Sequence, residues 1–148
     1  MKVKDIMSTD VVSVGRDTTI EEVARILVHN GMTSAPVVDE HNQIIGIVSE
    51  KDLIYKDIDP SVPSATEYLG GIIFLNGLEH YHEALKKLTA TRVEQMMTRE
   101  VITVKPDDTI KELGRMLVDA GINSIPVTEK GKLVGIVSST DIVKTLLQ

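Results

Sequence analysis

The chain has no cysteine, which excludes disulfides, thiolate metal sites and cysteine nucleophiles and fits a reducing compartment. It has no tryptophan, three Tyr and one Phe, so its core must be built from Val, Ile, Leu and Met. Basic residues are in the minority: 16 Lys and Arg stand against 22 Asp and Glu, a formal charge of −6. A broad positive face for nucleic acid or anionic lipid is therefore disfavoured. Long hydrophobic runs are also missing. The most apolar window, Ile72-Ile73-Phe74-Leu75, is far too short to cross a bilayer. The opening Met1-Lys2-Val3-Lys4-Asp5 lacks the apolar stretch of a signal peptide. A cytoplasmic protein with neither membrane nor nucleic acid as partner is expected.

What the chain does contain is a duplication. Val11-Val12-Ser13-Val14 returns as Val101-Ile102-Thr103-Val104, and Gly31-Met32-Thr33-Ser34-Ala35-Pro36-Val37 as Gly121-Ile122-Asn123-Ser124-Ile125-Pro126-Val127. After the loss of one residue, Gly46-Ile47-Val48-Ser49 returns as Gly135-Ile136-Val137-Ser138. About twenty of roughly fifty aligned positions are identical, far above chance for a fixed offset.

Each copy reads in the same order. The β-branched run Val11 to Val14 predicts a strand. Thr19 with Glu22, and Thr109 with Glu112, have capping-box spacing and open a helix. Ile20, Val23, Ala24 and Leu27 mark its apolar face, repeated by Ile110, Leu113, Gly114 and Leu117. Gly31 and Gly121 stand where a glycine stops that helix. Two strands follow, around Asp39 to Gln43 in the first copy and Glu129 to Lys132 in the second. A final helix begins near Ser49 or Ser138. The fold class is thus α/β (α+β), two β-α-β-β-α units over residues 1–56 and 93–148. A unit of about fifty residues buries too little surface to stand alone comfortably. The two are expected to pack face to face on one shared core, with a pseudo-twofold axis and clefts along it suited to small molecules.

Residues 57–92 have no counterpart in the repeats. Pro60, Ser61, Pro63 and Ser64 read as loop, and Leu78, Tyr81, Leu85 and Leu88 as an amphipathic helix. His80 and His82 lie two apart and point to different helix faces, so a solvated face is expected rather than a metal site. The methionines read as core filler. No nucleophile elbow, HExxH or phosphate-binding Gly-rich loop is present, so an enzyme is not expected.

Met7-Ser8 and Met97-Thr98, the Ser-x-Pro-Val segments at Ser34 and Ser124, and the runs Gly46 to Asp52 and Gly135 to Asp141 occur in order and twice. In this the chain resembles the CBS-domain family, in the tandem pair called a Bateman module. The resemblance implies a homodimer and a regulatory site for adenosine-containing ligands: AMP, ADP, ATP or S-adenosylmethionine. No cofactor is required, and the output would pass to a separate regulated protein. The family's ribose-phosphate motif is matched by Gly135-Ile136-Val137-Ser138-Ser139-Thr140-Asp141. An ionised Asp141 can accept both ribose hydroxyl protons, while Ser138, Thr140 and free N–H groups at the helix start suit a phosphate. In the first copy Ser49, Lys51 and Asp52 stand in these places, Lys51 replacing the usual hydroxyl residue.

By the same resemblance each pocket takes its adenine wall from the opposite copy. Asp141 would work with Ser8, Val12, Met32, Thr33, Ser34 and Pro36. Asp52 would work with Thr98, Ile102, Ile122, Asn123, Ser124 and Pro126. Both Ser-x-x-Asp patterns also satisfy N-terminal capping without any ligand. The alternative function is accordingly a ligand-free structural or protein-interaction module.

Overall fold

The computed structural model describes residues 1–55 and 91–148. The amphipathic helix and the His80/His82 pair expected within 57–92 lie outside them. Each repeat contributes one long and one short helix and an antiparallel strand pair, an α+β arrangement. The first comprises β1 (Val14–Gly15), α1 (Ile20–Asn30), β2 (Ser34–Val38), β3 (Ile44–Ser49) and α2 (Glu50–Tyr55). The second comprises α3 (Ile110–Ala120), β4 (Ser124–Glu129), β5 (Lys132–Ser138) and α4 (Ser139–Thr145). No helix among the described residues is long and apolar enough to cross a membrane.

Local sequence explains the helix limits. The Thr19 and Thr109 side chains accept the N–H groups of Glu22 and Glu112, each at 3.2 Å, and both glutamates return the bond to the cap residue's N–H. Gly31 and Gly121 end the helices at φ 60° and 63°, the left-handed conformation that a side chain disfavours. Between those limits, α1 buries Ile20, Val23 and Leu27, and α3 buries Leu113 and Leu117.

The leading strands are shorter than the β-branched runs predict. Only Val14 and Gly15 pair, in parallel, with Val37 and Val38. In the second repeat a single bridge joins Val104 to Val127. Val11–Ser13 and Val101–Thr103 are half-buried or exposed and have no ladder partner among the described residues. Strand propensity there lacks a neighbouring edge to satisfy it. The hairpin β2–β3 runs from Ser34↔Ser49 to Val38↔Ile44, and β4–β5 from Ser124↔Ser138 to Glu129↔Lys132. Each has a register break at the same place, Val37/Val38 and Val127/Thr128.

The expected single shared core is instead two clusters, interlocked by exchanged segments. Val14, Val23, Leu27, Val37 and Val48 form one and Leu113, Leu117, Ile125, Val127 and Val137 the other. Val93, from the 3-10 turn leading into the second repeat, completes the first cluster, and Val3, from the turn leading into the first repeat, completes the second. The backbone fixes the exchange: Val3 N–H donates to Asp108 O at 2.9 Å and Val93 N–H to Thr18 O at 2.8 Å. Ser8 exchanges both backbone bonds with Ile136, and Thr98 does the same with Ile47. Met97 and Met7 then lie over Gly46 and Gly135. A Cβ on either glycine would stand 2.5 Å from the Met97 sulfur or 2.7 Å from that of Met7, well inside van der Waals contact. Neither repeat closes its core without the other's leading segment.

Candidate functional site

Two clefts open where the halves meet, each built from the start of one repeat's short helix and the helix-to-strand turn of the other. The first, about 290 Å³, joins Ser49, Lys51 and Asp52 to Thr98, Ile102, Ile122, Asn123 and Ser124. The second, about 460 Å³, joins Ser138, Thr140 and Asp141 to Met32, Thr33 and Ser34. These volumes lie at the lower end of the range for small-molecule sites. Thr33, Ser34, Asn123 and Ser124 line both clefts, so the two share a wall.

Several residues expected on the walls stand elsewhere. Pro36 and Pro126 are fully buried within β2 and β4 and line neither cleft. Ser8, exposed beside its backbone bridge to Ile136, and Val12, in the irregular segment before β1, do not line the Asp141 cleft, although Thr98, with the equivalent bridge to Ile47, does line the other. Conversely, Glu50 and Glu100 line the Asp52 cleft, and Ser139 and Ile136 the Asp141 cleft. No motif marks Glu100. Only the fold brings the residues after Thr98 to the mouth of a cleft formed by β3 and α2.

The aspartates are fixed by capping boxes of like geometry. Asp52 Oδ2 accepts the Ser49 N–H at 2.9 Å, and the Asp52 N–H donates to Ser49 Oγ at 3.3 Å. Asp141 Oδ2 accepts the Ser138 N–H at 2.8 Å and the Ser138 hydroxyl at 2.9 Å, and the Asp141 N–H donates back to Ser138 Oγ at 3.3 Å. The cap thus orients each carboxylate at the cleft mouth. It also consumes groups expected to be free. The Ser138 hydroxyl donates its hydrogen bond to Asp141, and the first helical N–H groups, of Glu50 and Ser139, donate to Thr33 O and Asn123 O at 2.9 Å. The helix starts therefore offer fewer donors to a phosphate than the motif alone suggests. Among the described residues no group of three or more His, Asp or Glu side chains could hold a metal ion.

Comparison with known proteins bears on what such a pair of clefts is. The CBS domain family model matches residues 3–59 and 93–148. An uncharacterised protein of Methanocaldococcus jannaschii is 32% identical over 99% of this chain and 92% of its own length. Among solved structures, the CBS domain pair of protein MJ0100 in complex with 5′-methylthioadenosine and S-adenosyl-L-methionine aligns with a TM-score of 0.70 at 25% identity, over 99% of this chain and 95% of that one. CBSX2 in complex with AMP aligns with a TM-score of 0.74 at 24% identity, over 99% and 97% of the two chains, a likeness of fold. With both repeats matched and the paired arrangement shared, the chain belongs to the CBS domain family, as a tandem pair.

Proposed function

We propose that the chain is a regulatory module that binds an adenosine-containing ligand in the clefts between its repeats and passes the signal to a separate protein. The observation that carries this reading is the doubled cleft with a cap-oriented carboxylate at each mouth, Asp52 and Asp141. A carboxylate held by its own helix start is an acceptor for a pair of vicinal hydroxyls. The apolar wall of the Asp52 cleft, Ile47, Ile102 and Ile122, suits the face of a purine. Similar paired structures hold AMP or S-adenosyl-L-methionine with 5′-methylthioadenosine, which supports the ligand class. AMP, ADP, ATP and S-adenosylmethionine all belong to it.

A ligand touching both repeats would act by favouring the arrangement in which both walls are in place; only differential affinity for two arrangements shifts their balance. The reading includes a homodimer. Val28 and Val118, equivalent positions on α1 and α3, are each 80% exposed and would be covered by a second copy. Isothermal titration of the full chain with AMP, ATP and S-adenosylmethionine, alongside sedimentation with and without ligand, tests both parts. The module reading requires saturable binding to at least one compound, and no heat with any of them would refute it.

A further inference from the structure

We infer that the Asp52 cleft sorts adenosine compounds by the charge on their 5′ group, admitting neutral and cationic derivatives and disfavouring polyphosphates, with Glu100 and Glu50 as the selecting residues. The inference rests on the adenosine reading above and narrows it. Among the described residues, three acidic side chains, Glu50, Asp52 and Glu100, line this cleft beside one basic one, Lys51, and their formal charges sum to −2. Arg99, next to Glu100, does not line the cavity; its guanidinium turns to Glu94, 3.4 Å from the carbonyl and 4.0 Å from the carboxylate. A cavity of this volume is roughly 8 Å across, no wider than the Debye length in physiological salt. Whatever a ligand's orientation, its charge therefore falls within range of all four groups.

Backbone geometry adds an independent reason. A triphosphate wants unpaired N–H donors, yet the Glu50 N–H already donates to Thr33 O and the Ser49 N–H to Asp52 Oδ2. A sulfonium or an uncharged thioether has no such requirement, and a sulfonium gains from the carboxylate excess. The Asp141 cleft differs: among the described residues its lining has one carboxylate and no Lys or Arg, against three acidic residues and one lysine at the Asp52 cleft. Unequal selectivity follows from the substitutions Glu50 for Ser139 and Lys51 for Thr140 together with the placement of Glu100.

The test is an NMR titration of the ¹⁵N-labelled full chain, with the amides of Lys51 and Glu100, which line this cleft and not the other, as reporters. The probes are adenosine, 5′-methylthioadenosine, S-adenosylmethionine and ATP. Expected are tighter binding of methylthioadenosine than of ATP, a gap that narrows as salt is raised, and a rise of about two- to fivefold in the ATP-to-methylthioadenosine affinity ratio in E100Q. E50Q provides a second variant with the same expected direction. ATP binding as tightly as methylthioadenosine in the parent chain, or a ratio unmoved in both variants, overturns the charge selection and leaves the adenosine reading standing. No shift with any of the four compounds overturns that reading, and the selection with it.

Discussion

Ser34 Oγ and Ser124 Oγ, the same position in the two repeats, lie 3.2 Å apart and form one hydrogen bond across the junction of the halves. Both serines also line both clefts, so this bond sits at the boundary between the two sites. Replacing either serine with alanine leaves a part-buried hydroxyl without its partner and should cost about 0.5–1.5 kcal/mol. A double-mutant cycle by urea denaturation should give a coupling energy of about 1 kcal/mol for the pair. Additive single effects would show that the contact contributes nothing.

The glycines beneath the methionines should be intolerant of a side chain. Gly46→Ala puts a Cβ against Met97 and 3.1 Å from Thr98 O, and Gly135→Ala puts one against Met7 and 3.0 Å from Ser8 O. Each should destabilise the chain by about 1–3 kcal/mol, as overpacking does. Shortening Met97 in the Gly46→Ala background should recover part of the loss, because its flexible side chain is the nearer obstacle. The comparison of midpoints in urea measures both effects.

Much of this architecture is legible from residues that act locally. Thr19, Glu22 and Gly31, with their counterparts Thr109, Glu112 and Gly121, set the limits of the long helices through caps that depend on a few neighbouring atoms. The duplication fixes the order of elements, since identical segments fold alike. What depends on distant contacts is not legible. Nothing in Val3 or Val93 announces that each completes the other repeat's core, and Pro36 reads as a wall residue although its strand turns it into the interior. Glu100 lies in no motif and enters the Asp52 cleft only because Thr98 pairs with Ile47.

The caps themselves are measurable. Thr19→Ala and Thr109→Ala each remove the acceptor for one helical N–H and should cost about 1 kcal/mol, with equal effects expected from the shared geometry. Thermal denaturation followed by circular dichroism would detect this; unequal losses would mean that the two repeats do not carry their helices alike.

Two aspartates hold their protons less readily than a free aspartate side chain. Asp39 accepts the N–H groups of Gln43 and His41, each at 2.9 Å; the Gln43 bond is the main cause holding its carboxyl below the ordinary value, while burial opposes it. Asp107 is held down by the hydrogen bond from Lys4 at 2.9 Å and then by its charge. Because the folded values are lowered, both groups contribute stability above the unfolded pKa of about 3.9, and it is lost as pH falls through the folded values. For Lys4 the sign reverses: its value is raised by the same bond, so its contribution is full below about 10.4 and lost at higher pH. Carboxyl NMR titration should find Asp39 and Asp107 below the ordinary aspartate value of about 3.9; a value at or above it for either would contradict the assigned bonds.

The central claim, that the cap-oriented aspartates receive an adenosine compound, is tested most directly by the thermal shift of the full chain beside its D52N/D141N variant. Asparagine keeps an oxygen to accept the Ser49 and Ser138 N–H bonds, so the caps persist while the charge at each mouth is removed. With AMP, 5′-methylthioadenosine or S-adenosylmethionine at one hundred times its dissociation constant, the parent should gain about 2.7 kcal/mol, a rise of several degrees in Tm. The variant should show little or none of it. No rise in the parent with any of the three at millimolar concentration, or an equal rise in parent and variant, would contradict the account.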